Sequence, residues 1–174
     1  HCANSGGVLF FRDEGMCLDM VRPGLLTYGV YPDERSGGVE LTPVMTLKSR
    51  VAALTHHKKG DTVSYGRTWI AERDCTLAVL PIGYADGLHR CLSNKLEVLL
   101  RGHRARQVGR VCMDMSMVDV TDIPDVARED VVTLIGRDGD EFISAEEMAS
   151  LCGTINYEIV CAISKRVKRV YLRK

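Results

Sequence analysis

The feature that most limits the fold is the distribution of apolar residues between positions 44 and 135. They come in short stretches at residues 44–54, 63–69, 75–82, 96–100, 106–111, 115–120 and 130–135, separated by Gly, Asp or Pro. Such stretches are strand-length rather than helix-length, and turn residues recurring at this spacing predict a compact antiparallel β domain. Helices enter only near the end. Ser144 followed by Glu147 fits a capping box, so residues 145–151 are predicted helical, with Gly153 as the stop. A second short helix over residues 155–163, capped by Thr154, and a closing strand over residues 167–172 complete the reading.

Upstream, residues 8–12 and 16–21 read as short extended segments around an Asp13-Glu14-Gly15 turn, followed by a helical turn at residues 25–28 after Pro23-Gly24. Residues 33–38 hold no apolar side chain and read as a linker, which places a boundary near residue 37.

Composition narrows the function. With 174 residues, 45% of them apolar, the chain can bury roughly 70% of its unfolded surface and needs neither disulfides nor a structural metal. Its 23 Lys and Arg balance 23 Asp and Glu, so no general field attracts nucleic acid or any other polyanion. Seven cysteines without a C-x-x-C pair read as free thiols, which fits a reducing compartment such as the cytoplasm. No stretch approaches the roughly 20 apolar residues of a membrane span. The opening His1-Cys2-Ala3-Asn4-Ser5, without Met, basic region or apolar core, reads like the middle of a longer chain.

Taken singly, the polar motifs are open to ordinary explanations. Residues 80–87 form a glycine-bearing loop after an apolar strand, and Tyr65 before Gly66 could sit at a strand edge. No second Cys or His stands at ligand spacing from Cys112, so no metal is expected there, and His56-His57 before Lys58-Lys59-Gly60 reads as a solvated turn. Lys165, Arg166, Lys168 and Arg169 alternate imperfectly with valine and read as a solvated strand face.

Their order carries more. His1-Cys2-Ala3-Asn4-Ser5, Met20-Val21-Arg22-Pro23-Gly24, Lys48-Ser49-Arg50-Val51, Gly60-Asp61-Thr62-Val63-Ser64-Tyr65-Gly66, residues 80–87, Val108-Gly109-Arg110-Val111-Cys112-Met113-Asp114 and Thr154-Ile155-Asn156-Tyr157-Glu158 follow one another in that sequence. This closely resembles the C-terminal half of bacterial alanine racemases, over the whole chain. The resemblance implies a mainly β fold with short helices. Residues 1 to 36 would be the last part of a (β/α)8 barrel that carries pyridoxal 5'-phosphate, and residues 37 to 174 the C-terminal antiparallel β domain. It also implies a homodimer in which the β domain closes the partner's site, a small amino-acid substrate, and D-alanine made for peptidoglycan.

Residue roles follow from the same resemblance. Racemisation needs a base on each face of the α-carbon and an electron sink. Tyr65 matches the tyrosine base that acts in the partner's site. Arg22 matches the arginine facing the pyridine nitrogen; a guanidinium is permanently charged and has no acceptor, so it disfavours a protonated ring. Ser5, Gly24, Leu25 and Tyr157 match the phosphate ligands, and Met113 the residue whose amide holds the substrate carboxylate. Tyr84, Arg90, Arg110, Asp114 and Ile155 match positions lining the narrow access corridor. The opposite base, the Schiff-base lysine, lies near the start of the family's barrel, whereas the first lysine here is Lys48. These 174 residues alone are therefore expected not to racemise alanine. A serine or dual serine/alanine racemase, a non-catalytic β-domain dimerisation module, and a barrel-type amino-acid decarboxylase are the other readings, the last leaving the Tyr84 loop and the Cys112-Met113-Asp114 segment unexplained.

Overall fold

A computed structural model describes residues 1–33, 35 and 37–172. Backbone contacts divide the chain into two compact units, His1–Met45 and Thr46–Lys174.

In the first unit, Asn4 and Arg22 form a parallel bridge in which the Arg22 amide donates to the Ala3 carbonyl at 2.9 Å. Residues 8–12 are not extended as expected. Asn4 accepts from the Gly7 amide at 3.0 Å and so caps a short helix α1 (Ser5–Phe10). A 3-10 turn (Arg12–Glu14) and residues 16–19 in turn conformation replace the second extended segment, and the expected helical turn is the 3-10 turn Gly24–Tyr28. The first unit continues past the polar stretch because the chain folds back. The Tyr31 hydroxyl donates to the Val39 carbonyl at 2.7 Å and accepts from the Leu41 amide at 3.0 Å, while the Val44 amide reaches the Tyr28 carbonyl at 3.1 Å.

The second unit is built on an antiparallel sheet. Its strands are β1 (Leu47–Arg50), β2 (Ala53–His57), β5 (Cys75–Leu80), β6 (Glu97–Leu100), β7 (His103–Val108), β8 (Ser116–Asp119), β9 (Val131–Asp138) and β10 (Glu141–Ile143). They pair in the order β1-β9-β6-β7-β8-β5-β2, with β10 also on β9. A separate two-stranded ribbon pairs β3 (Thr62–Val63) with β4 (Trp69–Ile70). The mainly β fold with few short helices is thus as the sequence implies. Strand β5 is apolar but for Thr76, and β9 is apolar but for Thr133 over residues 131–135, both mostly buried there, whereas β7 alternates Arg104 and Arg106 outward with Ala105 and Gln107 inward. Leu77, Leu80, Leu99, Leu134, Ile143 and Met148 are among the largest fully buried side chains. Gln107 is buried with them because its amide is used in full. It accepts from the Asn94 amide at 2.7 Å and donates to the Val108 and Gly109 carbonyls at 3.0 Å each.

Helix α2 (Ala145–Cys152) starts as expected, with Ser144 accepting from the Glu147 amide at 3.0 Å, and ends at Gly153 in the left-handed region. The return half of the capping box is absent: the Glu147 carboxylate binds Arg104 instead. Helix α3 (Asn156–Ala162) has Ile155 rather than Thr154 at its N-cap, because the Thr154 hydroxyl hydrogen-bonds the Glu158 carboxylate. The expected closing strand at residues 167–172 does not form; Val170, Tyr171 and Leu172 are exposed. No helix among the described residues is long and apolar enough to cross a membrane.

Candidate active site

Tyr65, Tyr84, Arg90, Arg110, Met113 and Asp114, expected site residues of the second unit, lie on loops and turns between its strands. The stretch at residues 63–69 is not the continuous strand its composition suggests. After Val63 the backbone enters the left-handed region at Ser64 (φ 66°), Gly66 (φ 72°) and Arg67 (φ 49°), which breaks the ribbon and sets Tyr65–Arg67 in a tight turn. Tyr65 is left 73% exposed. The turn is pinned from the other side: the Ser64 hydroxyl donates to the Arg110 carbonyl at 2.7 Å and lies 3.4 Å from the Cys112 thiol. Arg110 runs beside the turn, since a Cβ placed on Gly66 would stand 3.5 Å from its Nε.

The segment that receives Ser64 also carries Met113. Its course is fixed by two short polar side chains, with the Gly109 amide donating to Asn94 Oδ1 at 2.6 Å and the Val111 amide to the Ser93 hydroxyl at 3.0 Å. Ser93 in turn donates to the Arg90 carbonyl at 2.6 Å, which ties the Arg90–Leu92 turn to the same segment.

Tyr84 is brought to Met113 by backbone alone. Its amide donates to the Cys112 carbonyl at 2.9 Å, and the Ala85 amide to the Met113 carbonyl at 3.0 Å. Only glycine allows this approach at position 83, where a Cβ would overlap both carbonyls. Asp86 completes the loop by accepting from the Gly83 amide at 2.9 Å. These bonds use the Met113 carbonyl and leave its N–H free of them, with the side chain half exposed.

Asp114, beside Met113, is held by Arg166 at 2.6 Å, and the Arg166 guanidinium also stands 3.4 Å from Asp86. The Asp114 hydrogen bond, with the Asp86 charge, pushes the Arg166 pKa up further. Sequence reasoning missed Arg166, Ser64 and Ser93. Their partners lie 52, 46 and 18 residues away, beyond any local pattern. Ile155 and Tyr157 stand at the start of α3, exposed and part-exposed. No hydrogen bond or ion pair among the described residues joins them to the other expected site residues.

The remaining four lie in the first unit. Ser5 is buried; its hydroxyl hydrogen-bonds the Pro23 carbonyl and lies 3.4 Å from the Leu26 amide. Gly24, at φ 30°, lies beside it: a Cβ there would stand at van der Waals distance, 3.6 Å, from Ser5 Oγ. Gly24 and Leu25 open a 3-10 turn, whose first amides have no acceptor within it. A hydroxyl beside such amides is a donor set suited to an anion. Arg22 precedes them, with Nη2 3.4 Å from the Cys2 carbonyl. Among the described residues, no group of three or more His, Cys, Asp or Glu is placed to hold a metal.

An antiparallel β unit presents Tyr65, Tyr84 and Met113 on hydrogen-bonded loops, and a separate first unit holds the Ser5 hydroxyl near the start of the Gly24–Tyr28 turn; the class so defined is a two-unit chain whose larger unit is an antiparallel β domain. A family model described as "Alanine racemase, C-terminal domain" matches residues 44–171. The chain is 48% identical to an alanine racemase of Halothermothrix orenii over 175 residues, covering 100% of this chain and 46% of that protein. The crystal structure of a Bacillus anthracis alanine racemase with bound L-Ala-P superposes with a TM-score of 0.92 at 42% identity, over 99% of this chain and 44% of that one. An alanine racemase from Bartonella henselae with covalently bound pyridoxal phosphate gives 0.87 at 37%, over 98% and 46%. The chain therefore belongs to the alanine racemase family, and it spans about half the length of the relatives it matches.

Proposed function

We propose that this chain is the C-terminal portion of a pyridoxal-phosphate-dependent alanine racemase, which interconverts L- and D-alanine in the cytoplasm and supplies D-alanine for peptidoglycan. The observation that carries it is the Tyr65 turn, a tyrosine held exposed on strained backbone and pinned through Ser64 to the segment bearing Met113. The roles of the site residues belong to the proposal, as does the assignment of residues 1 to about 36 to the end of a (β/α)8 barrel. So does a homodimer in which Tyr65 serves the partner's site.

Pyridoxal phosphate, when bound, supplies the electron sink for a carbanion at the α-carbon. The Ser5 hydroxyl and the amides of Gly24 and Leu25 would hold its phosphate, provided the hydroxyl turns from the Pro23 carbonyl; the family resemblance alone gives Tyr157 the role of a further phenol donor. Arg22 would serve the ring nitrogen, where a permanently cationic guanidinium without an acceptor would disfavour protonation and so restrain side reactions. The Met113 amide binds the substrate carboxylate, and the Tyr65 hydroxyl moves the α-proton on one face. The second base belongs to the part of the relatives' length that this chain does not span. Tyr84, Arg90, Arg110, Asp114 and Ile155 restrict access to small amino acids.

The test uses the full-length protein. It should convert L-alanine to D-alanine. Tyr65→Phe should reduce racemisation by roughly 10²–10⁴-fold, while one enantiomer still exchanges its α-proton with solvent deuterium through the other base. Dimerisation without turnover would favour the non-catalytic module. Turnover of serine equal to that of alanine would favour a dual racemase.

A further inference from the structure

Two loops meet at Met113, and each brings a carboxylate: Asp86 from the Tyr84 loop and Asp114 from the segment itself. Asp86 is mostly buried and Asp114 half exposed. Two carboxylates brought together by the backbone bonds of Tyr84 and Ala85 would push the loops apart, and would repel any anionic ligand group arriving beside them.

A single cation answers both. Arg166 places Nη2 2.6 Å from Asp114 Oδ1 and Nε 3.4 Å from Asp86 Oδ1. Its own segment is built to hold it there. The Arg166 amide donates to Ser164 Oγ at 3.1 Å, the Ser164 amide donates to the Asp86 carbonyl at 3.0 Å, and the Val167 amide closes a turn on the Ser164 carbonyl at 3.1 Å. Arg169 clamps the same turn, donating to the Val167 carbonyl at 2.7 Å, the Ile163 carbonyl at 2.6 Å, and the Ser164 carbonyl. Of the basic run that reads as a solvated face in the sequence, Arg166 and Arg169 are thus engaged by two carboxylates and three carbonyls, while Lys165 and Lys168 are exposed as expected.

We infer that Arg166 is a positioning residue for the substrate-carboxylate site: it clips the Tyr84 loop to the Met113–Asp114 segment and offsets part of the negative charge next to the Met113 amide. This deepens the reading of Met113 given above and rests on it. A guanidinium suits the task because its planar fork reaches two separate carboxylates at once, which a lysine ammonium does only as a point charge.

Steady-state kinetics of full-length Arg166→Ala and Arg166→Lys, with amide hydrogen exchange at Tyr84 and Ala85, test it. Arg166→Ala should raise KM for L-alanine by roughly tenfold with kcat changed less than about threefold, and should speed exchange at both amides. Arg166→Lys should recover most of the KM, and Asp114→Asn added to Arg166→Ala should recover part of it by removing the uncompensated charge. Unchanged KM, or equal loss of kcat and kcat/KM that lysine does not rescue, would overturn the inference. Should the wild-type protein not racemise alanine, the reading of Met113 fails by that result; the clip is then judged by exchange alone, and unchanged protection at Tyr84 and Ala85 overturns it.

Discussion

Gly109 faces Ser64 so closely that a Cβ on Gly109 would stand 2.8 Å from the Ser64 Cβ. The contact sits behind the Tyr65 turn, where Ser64 must also keep its hydroxyl on the Arg110 carbonyl. Gly109→Ala therefore combines a side chain at φ 73° with displacement of Ser64. The first effect alone costs about 1–2 kcal/mol. Gly102→Ala supplies the control, since Gly102 has φ 76° with nothing within 4 Å of a Cβ. Both variants should lose stability by thermal denaturation, Gly109→Ala more than Gly102→Ala. Only Gly109→Ala should also lower racemase activity in the full-length protein, by roughly tenfold or more through misplacement of Tyr65. Equal activities in the two variants would show that the Ser64 contact does not hold Tyr65.

Arg104 joins four elements through one side chain. Its guanidinium reaches Glu147 of α2 at 2.7 Å, Glu141 of β10 at 2.8 Å, Glu97 of β6 at 3.1 Å and the Phe142 carbonyl at 2.9 Å. The hydrogen bonds to the three glutamates raise its pKa still further. Each pair is partly exposed, and such pairs contribute roughly 0.2–1 kcal/mol apiece, so Arg104→Ala should cost about 1–2 kcal/mol. That corresponds to a melting temperature lower by roughly 2–8 °C. Arg104→Lys should recover only part of it, because an ammonium cannot serve four acceptors with a fixed fork. In 1 M salt the gap between wild type and Arg104→Ala should narrow. A gap independent of salt would mean that packing of the side-chain stem, not charge, is lost.

Strands β5 and β9 were legible because apolar runs bounded by turn residues have few other uses. Helix α2 was legible because Ser144 and Gly153 are local signals for a start and a stop. The errors share a cause in long-range or backbone terms. Residues 63–69 have strand composition, but Ser64 and Gly66 turn into the left-handed region and make the Tyr65 turn. Strand β7 begins at His103 rather than at residue 106 because Arg104 faces the glutamates of neighbouring elements. Asn4 was overlooked as a helix cap because the Gly6 and Gly7 that follow it are weak helix formers. At the site, Tyr65, Tyr84 and Met113 came from the order of motifs, whereas Ser64, Ser93 and Arg166 depend on partners far along the chain and became visible only in the fold.

Cys152 ends helix α2, and its thiol is pushed up to about 12, first by burial and then by a hydrogen bond with the Cys91 thiol. Only a thiolate attacks an alkylating agent, and a thiol with a raised pKa releases its proton later as pH increases. At pH 8 the thiolate fraction of such a group is about three orders of magnitude below that of an ordinary thiol. In the folded protein, carbamidomethylation of Cys152 by iodoacetamide, followed by peptide mass spectrometry, should therefore be slow at pH 8 and keep accelerating through pH 10. In urea the same cysteine should react quickly and level off once pH passes the ordinary thiol range. Cys91→Ser removes one thiol of the pair and leaves burial as the main cause, so the rate at Cys152 should change less than it does on unfolding. A folded-state rate that levels off with the unfolded one would show that Cys152 is neither shielded nor held by Cys91.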